Sequence, residues 1–126
     1  MSERSTIQKA AILDTLRSAS APLSVGQVLD RSRDKVPSLA QATVYRVLKG
    51  LLDQGVIAVV QPPGEAPLYE MAGKGHHHYF RCRRCEGMFE VVGCDELLRR
   101  LAPPGFKLED HDLFLFGLCS SCGHQD

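Results

Sequence analysis

The chain has 126 residues, 44% of them hydrophobic, with 15 basic and 15 acidic side chains. That length accommodates one or two small domains, and the lack of any long apolar run excludes a membrane-spanning helix. The charge is unevenly spread: residues 1–60 carry eight Lys/Arg against five Asp/Glu, and residues 61–126 carry seven against ten, so the first half suits a polyanion and the second suits cations.

Residues 1–5 are polar and are expected to fray. From Thr6 to Ala19, Ile12, Leu13 and Leu16 recur at helical steps until Ala21-Pro22 breaks the pattern. Ser24-Val25-Gly26-Gln27 reads as a capping box opening a second helix with Val25, Val28 and Leu29 on its apolar face, and Pro37 closes the segment. Ser38-Leu39-Ala40-Gln41 reads as another capping box, starting a third helix whose core side is Val44, Leu48, Leu51 and Leu52 and whose C-terminal cap is Gly55.

The other faces of this third helix carry Gln41, Tyr45 and Lys49 in one stripe and Thr43, Arg46 and Gly50 in the next. Donors, an aromatic ring and cations on a non-core face suit the DNA major groove, with Ser38 at the helix start, although solvated helix faces of this kind are common. Val56–Val60 and Leu68–Met71 read as strands around the turn Pro62-Pro63-Gly64. Three short helices followed by a β-hairpin describe a winged helix, with the wing near Glu65 placed to touch phosphate or minor groove. Gly73 and Gly75 mark residues 72–75 as a hinge between a domain over 1–71 and another over 76–126.

Beyond the hinge the periodicity turns to strands: Tyr79–Cys82, Met88–Val92 and Leu113–Phe116, with a short helix over Asp95–Ala102 stopped by Pro103-Pro104-Gly105. The Leu113–Phe116 run is apolar on both faces and calls for cover on both, which a dimer interface can supply. Cys82-Arg83-Arg84-Cys85 and Cys119-Ser120-Ser121-Cys122 are paired knuckles of the kind that close a tetrahedral Zn2+ site, a structural one because no coordination position stays open. A thioredoxin-like redox pair would not be doubled, and disulfides fit poorly with the odd cysteine Cys94 and the lack of a signal-like segment; reduced cysteines point to a cytoplasmic protein. His76-His77-His78, directly ahead of the first knuckle, offers imidazoles for a second, exchangeable ion, with His76 and His78 on one strand face and His77 on the other.

Taken together, Ala42-Thr43-Val44-Tyr45-Arg46-Val47-Leu48, the histidine run before Cys82, and the stretch from His111 through Cys119 to Cys122 resemble the ferric uptake regulator family of bacterial metal-responsive repressors, over nearly the whole chain. The resemblance implies an α+β protein with an N-terminal winged helix and a small C-terminal α/β dimerisation domain carrying the four-cysteine zinc site. It implies a homodimer that represses metal uptake or stress genes by binding an inverted-repeat operator in double-stranded DNA when a regulatory Zn2+ or Fe2+ is bound. It also implies that Lys9, Tyr45 and Arg46 contact DNA and that Cys82, Cys85, Cys119 and Cys122 hold zinc. The family's hinge site corresponds here to Glu70 and His77, but Tyr79 stands at its second histidine and no histidine precedes His76; Glu90, Cys94 and the neighbouring histidines are the substitutes. A second family site corresponds to His76, His78, Glu96 and His111. The hinge is the expected sensor, since an ion spanning two domains has the most leverage on the recognition helices.

No H-E-x-x-H or H-x-E…C-x-x-C arrangement is present, so a catalytic zinc and a small-molecule substrate are not expected, nor is a membrane. The alternatives are a peroxide-sensing repressor of the same family and a zinc-stabilised interaction module that does not bind DNA.

Overall fold

The computed structural model describes residues 3–75, 77–92 and 95–123. The chain divides into two compact units, residues 1–73 and 74–126.

The first unit opens with α1 (Glu3–Ser18), α2 (Val25–Ser32) and α3 (Gln41–Asp53), followed by the antiparallel hairpin β1 (Ile57–Val60) and β2 (Leu68–Met71). Ile12 and Leu16 of α1, Val25 and Val28 of α2, and Val44, Leu48 and Leu51 of α3 fall at helical spacing and form one buried cluster with Leu39, Ile57 and Tyr69. The α2 capping box is present in full: Gln27 N–H donates to Ser24 Oγ, and Ser24 N–H donates to Gln27 Oε1.

The expected box at Ser38 does not form. The N-cap of α3 is Ala40, extended at φ −98° and ψ 150°, with no side-chain cap. Ser38 stands two residues too early. The approach to α3 is fixed instead by Leu39, which is fully buried and whose carbonyl accepts from Arg33 Nε at 3.0 Å. At the other end α3 is capped by Gln54, and Gly55 follows at φ 73°, the left-handed geometry a helix stop uses. Leu23, between α1 and α2, exchanges two backbone hydrogen bonds with Tyr69 and adds a one-residue bridge beside β2. A single bridged residue has no periodicity, so no pattern announces it.

The second unit is a three-stranded sheet in the order β4-β3-β5, built from β3 (His78–Cys82), β4 (Met88–Val91) and β5 (Phe114–Gly117). β3 and β4 are antiparallel neighbours joined by the first knuckle, whereas β3 and β5 are parallel. The parallel pair requires a long crossover, which contains α4 (Asp95–Arg99), shorter than the span to Ala102 that the sequence suggested. β5 begins and ends one residue later than expected and is followed by α5 (Ser120–Gly123). The cover expected on both faces of β5 is not supplied within one chain, where Leu115 and Phe116 remain 40% and 36% exposed.

Candidate metal centre and nucleic-acid interface

Four side chains converge at the end of the sheet. Cys82 is the last residue of β3, Cys85 closes the turn after it, and Cys119 and Cys122 flank and enter α5. The turn is tight: Glu86 adopts φ 63°, and Cys82 N–H donates to Gly87 O at 2.9 Å. The four sulfurs all lie within 4.8 Å of one another, and Cys85 Sγ is 3.8 Å from Cys119 Sγ. A disulfide needs about 2.05 Å. Sulfurs at the corners of a tetrahedron about a Zn2+ 2.3 Å away stand about 3.8 Å apart, so the donor set and spacing fit a closed zinc site.

The electrostatics of the cluster agree. The backbone N–H groups of Cys85 and then Cys119 lower the Cys82 thiol to about 6. Cys119 is lowered chiefly by the Cys122 N–H. Cys85 is pulled down by the Gly87 N–H yet ends raised, because the thiols of Cys82 and Cys119 and burial outweigh it. Burial and then the neighbouring thiols Cys119, Cys82 and Cys85 push Cys122 up to about 12. Two sulfurs are thus readily ionised and two resist, the result of crowding four thiols together; a divalent cation at their centre removes that conflict. Among the described residues this is the one gathering of three or more ligand-type side chains close enough to hold an ion.

The histidines part company. His78 is buried on β3, and its ring lies 4.7 Å from that of His111, centroid to centroid. Glu96, on α4, is exposed and does not join them in a close cluster. His77 has both ring nitrogens engaged: Nδ1 meets Gly75 O at 2.9 Å and Nε2 meets the Tyr79 hydroxyl at 2.6 Å. A carbonyl can only accept, so Nδ1 donates to Gly75, while the Tyr79 hydroxyl can pair with Nε2 as donor or acceptor. Tyr79 itself is buried, and across the antiparallel pair it faces Glu90, which is exposed. Glu70 is buried on β2 in the first unit, opposite Ala58. His76 and Cys94 lie outside the described residues.

On the first unit, α3 turns Gln41, Tyr45, Arg46 and Lys49 to solvent, with Tyr45 53% exposed, while Thr43 is half-buried. Arg46 and Lys9 line a common groove between α3 and α1, together with Gly50. Ser38 is exposed beside Glu3, Arg4 and Ile7 of α1, on a separate groove. The helix start that was to aim Ser38 is absent, so its place near α1 is the stronger indication of what it meets. Two residues that pattern alone does not single out are Arg83 and Arg84, whose signal is only their position between the first two cysteines.

The sequence profile described as the Ferric uptake regulator family matches residues 1–116, through both units and ending just short of the second knuckle. The chain is 28% identical over 126 residues to the transcriptional regulator FurA of Mycobacterium tuberculosis (strain ATCC 25618 / H37Rv), spanning 98% of this chain and 85% of that protein. It is 26% identical over 126 residues to the peroxide operon regulator of Bacillus subtilis (strain 168), spanning 98% and 86%. A solved structure described as a zinc-bound manganese uptake regulator superposes with a TM-score of 0.82 at 27% identity, over 94% of this chain and 89% of that one. Relatives that align from the first helix to the sheet, with a profile that runs the same course, leave one assignment: the chain belongs to the ferric uptake regulator family.

Proposed function

We propose that the protein is a homodimeric, metal-gated repressor that binds an inverted-repeat operator through α3 and controls genes of metal uptake or homeostasis. The observation that carries this reading is the combination, in one chain, of an exposed polar and aromatic face on α3 with a four-thiol cluster of zinc geometry. The helix has a rigid, fully buried inner side, so its outer residues are held at fixed spacing, as groove recognition requires. Gln41, Thr43, Tyr45, Arg46 and Lys49 would face DNA, with Lys9 reaching backbone from α1 and Ser38 from beside it. The family consists of transcriptional regulators, and no residue here is assigned a catalytic role.

Zinc in the cysteine cluster would be structural, leaving the histidines to sense. We favour His78 and His111, with His76 and Glu96 completing the shell, because the first two already stand ring to ring, His78 on β3 and His111 in the segment before β5. Imidazole and carboxylate donors accept Fe2+ or Zn2+, and the cell's supply decides between them. The hinge set of Glu70, His77, Glu90 and Cys94 is the competing site; against it, His77 would have to surrender the Tyr79 hydroxyl to bind an ion through Nε2. Gel-shift titration of the metal-stripped dimer, reloaded with Fe2+ or Zn2+ at buffered free concentrations, tests the function. Operator binding should return with one of them, and binding that ignores metal throughout would refute gating.

A further inference from the structure

Zn2+ in a shell of four thiolates carries a formal charge of about −2. Here that charge would be half open to water, with Cys85 exposed and Cys119 partly so. The second knuckle is also weakly held by its own structure. α5 is a single turn of four residues, far too short to persist as a helix unaided. Something from elsewhere must fix its backbone so that Cys119 and Cys122 meet the other two sulfurs.

Both residues between Cys82 and Cys85 reach across to do so. Arg83 N–H donates to Gly117 O, the last residue of β5, at 2.7 Å, and its guanidinium lies 5.2 Å from the centroid of the Phe116 ring. Arg84 Nη1 donates to the main-chain carbonyl of Cys122 at 3.2 Å, a contact that spans 38 positions of sequence. The first anchors the strand leading into the second knuckle, and the second anchors a ligand's own backbone.

We propose that Arg84 is a positioning residue for the zinc centre: its guanidinium holds the Cys122 carbonyl and so the second knuckle, and brings a fixed positive charge beside the thiolate shell. This rests on zinc occupying the four-cysteine cluster. Arg83 assists through the strand. Outer partners of this kind tune how tightly ligands keep their ion. Because Arg84 is exposed, its removal should act on zinc retention more than on the fold of the sheet.

The test uses the full chain as purified, its zinc counted first and then challenged with the chromophoric chelator 4-(2-pyridylazo)resorcinol. Wild type should begin with one zinc per chain, and Arg84→Ala should release it about tenfold faster. Arg84→Lys should recover part of that loss, because it keeps the charge and one donor, whereas Arg84→Gln should not. A purely structural arginine would not separate these two variants. Release from Arg84→Ala at the wild-type rate overturns the proposal while leaving the zinc reading intact. Wild type without zinc overturns both. Should Arg84→Ala emerge without metal, the Lys and Gln variants decide: slower release from Lys supports the role, and equal rates sink it.

Discussion

The two units solve the problem of holding a small fold together by different means. The first buries eleven side chains in one apolar cluster drawn from all three helices and both strands. The second has only His78, Tyr79, Cys82, Met88 and Cys122 buried among its described residues, two of them cysteines of the four-thiol cluster, while Val92, Leu97, Leu101 and Phe106 are each more than 70% exposed. One unit is closed by packing; the other has four gathered thiols in place of a large core and leaves apolar surface exposed. A domain this small gains too little from burial alone, and a metal in the four-thiol cluster would take the place of the core it lacks.

The comparison is broken most severely by removing a thiolate. Cys119→Ser should strip the second unit of zinc and unfold it while the first unit stays native, which amide hydrogen exchange resolved by unit would reveal. A folded, zinc-free second unit would dismiss the ligation account. The reciprocal change is Leu48→Ala in the heart of the first cluster. It should cost about 2–5 kcal/mol of the first unit's stability through the cavity it leaves, with zinc content unchanged.

Function divides along the same line. If sensing belongs to the second unit, His111→Ala should lower the metal sensitivity of operator binding by tenfold or more, and His77→Ala with Glu70→Ala should leave it near wild type. The opposite result returns the sensor to the hinge. On the first unit, Arg46→Ala should weaken operator binding by about 1–3 kcal/mol if its guanidinium reads a base edge. A loss that is uniform across operator variants, with a shallower salt dependence, would instead assign Arg46 to phosphate alongside Lys9.

How much of this the sequence discloses follows from what each feature depends on. The apolar faces of the helices are legible because periodicity depends on neighbours three and four residues away, and Ile12, Leu16, Val28, Val44 and Leu48 all proved buried. The doubled knuckle is legible because two residues of spacing are what a metal turn requires, and the four sulfurs did gather. The grouping of His78 with His111 comes only through the family resemblance, and the hydroxyl of Tyr79 on His77 and the reach of Arg84 to Cys122 are not foreseen. The His78–His111 and Arg84–Cys122 contacts depend on the parallel crossover, which no local pattern encodes, whereas His77 and Tyr79 are two residues apart in one stretch of chain. The apolar run at β5 already called for cover beyond one chain, and Leu115 and Phe116 do remain 40% and 36% exposed.

The smallest effect is also the sharpest check on reading caps from sequence. Ser24-Val25-Gly26-Gln27 and Ser38-Leu39-Ala40-Gln41 share the same pattern of serine followed three residues later by glutamine. In the first, serine is the N-cap and both reciprocal hydrogen bonds form, at 2.9 and 3.1 Å. In the second, burial of Leu39 pulls the chain into a turn, sealed by Leu39 N–H on Val36 O, and α3 begins only at Gln41. Serine is then outside capping range. Ser24→Ala should therefore cost about 1 kcal/mol of the first unit's stability, whereas Ser38→Ala should change it by under about 0.5 kcal/mol, as at ordinary surface positions. Urea denaturation of the two variants measures both. Equal losses would mean that Ser38 caps α3 after all, and that the burial of Leu39 does not govern where α3 starts.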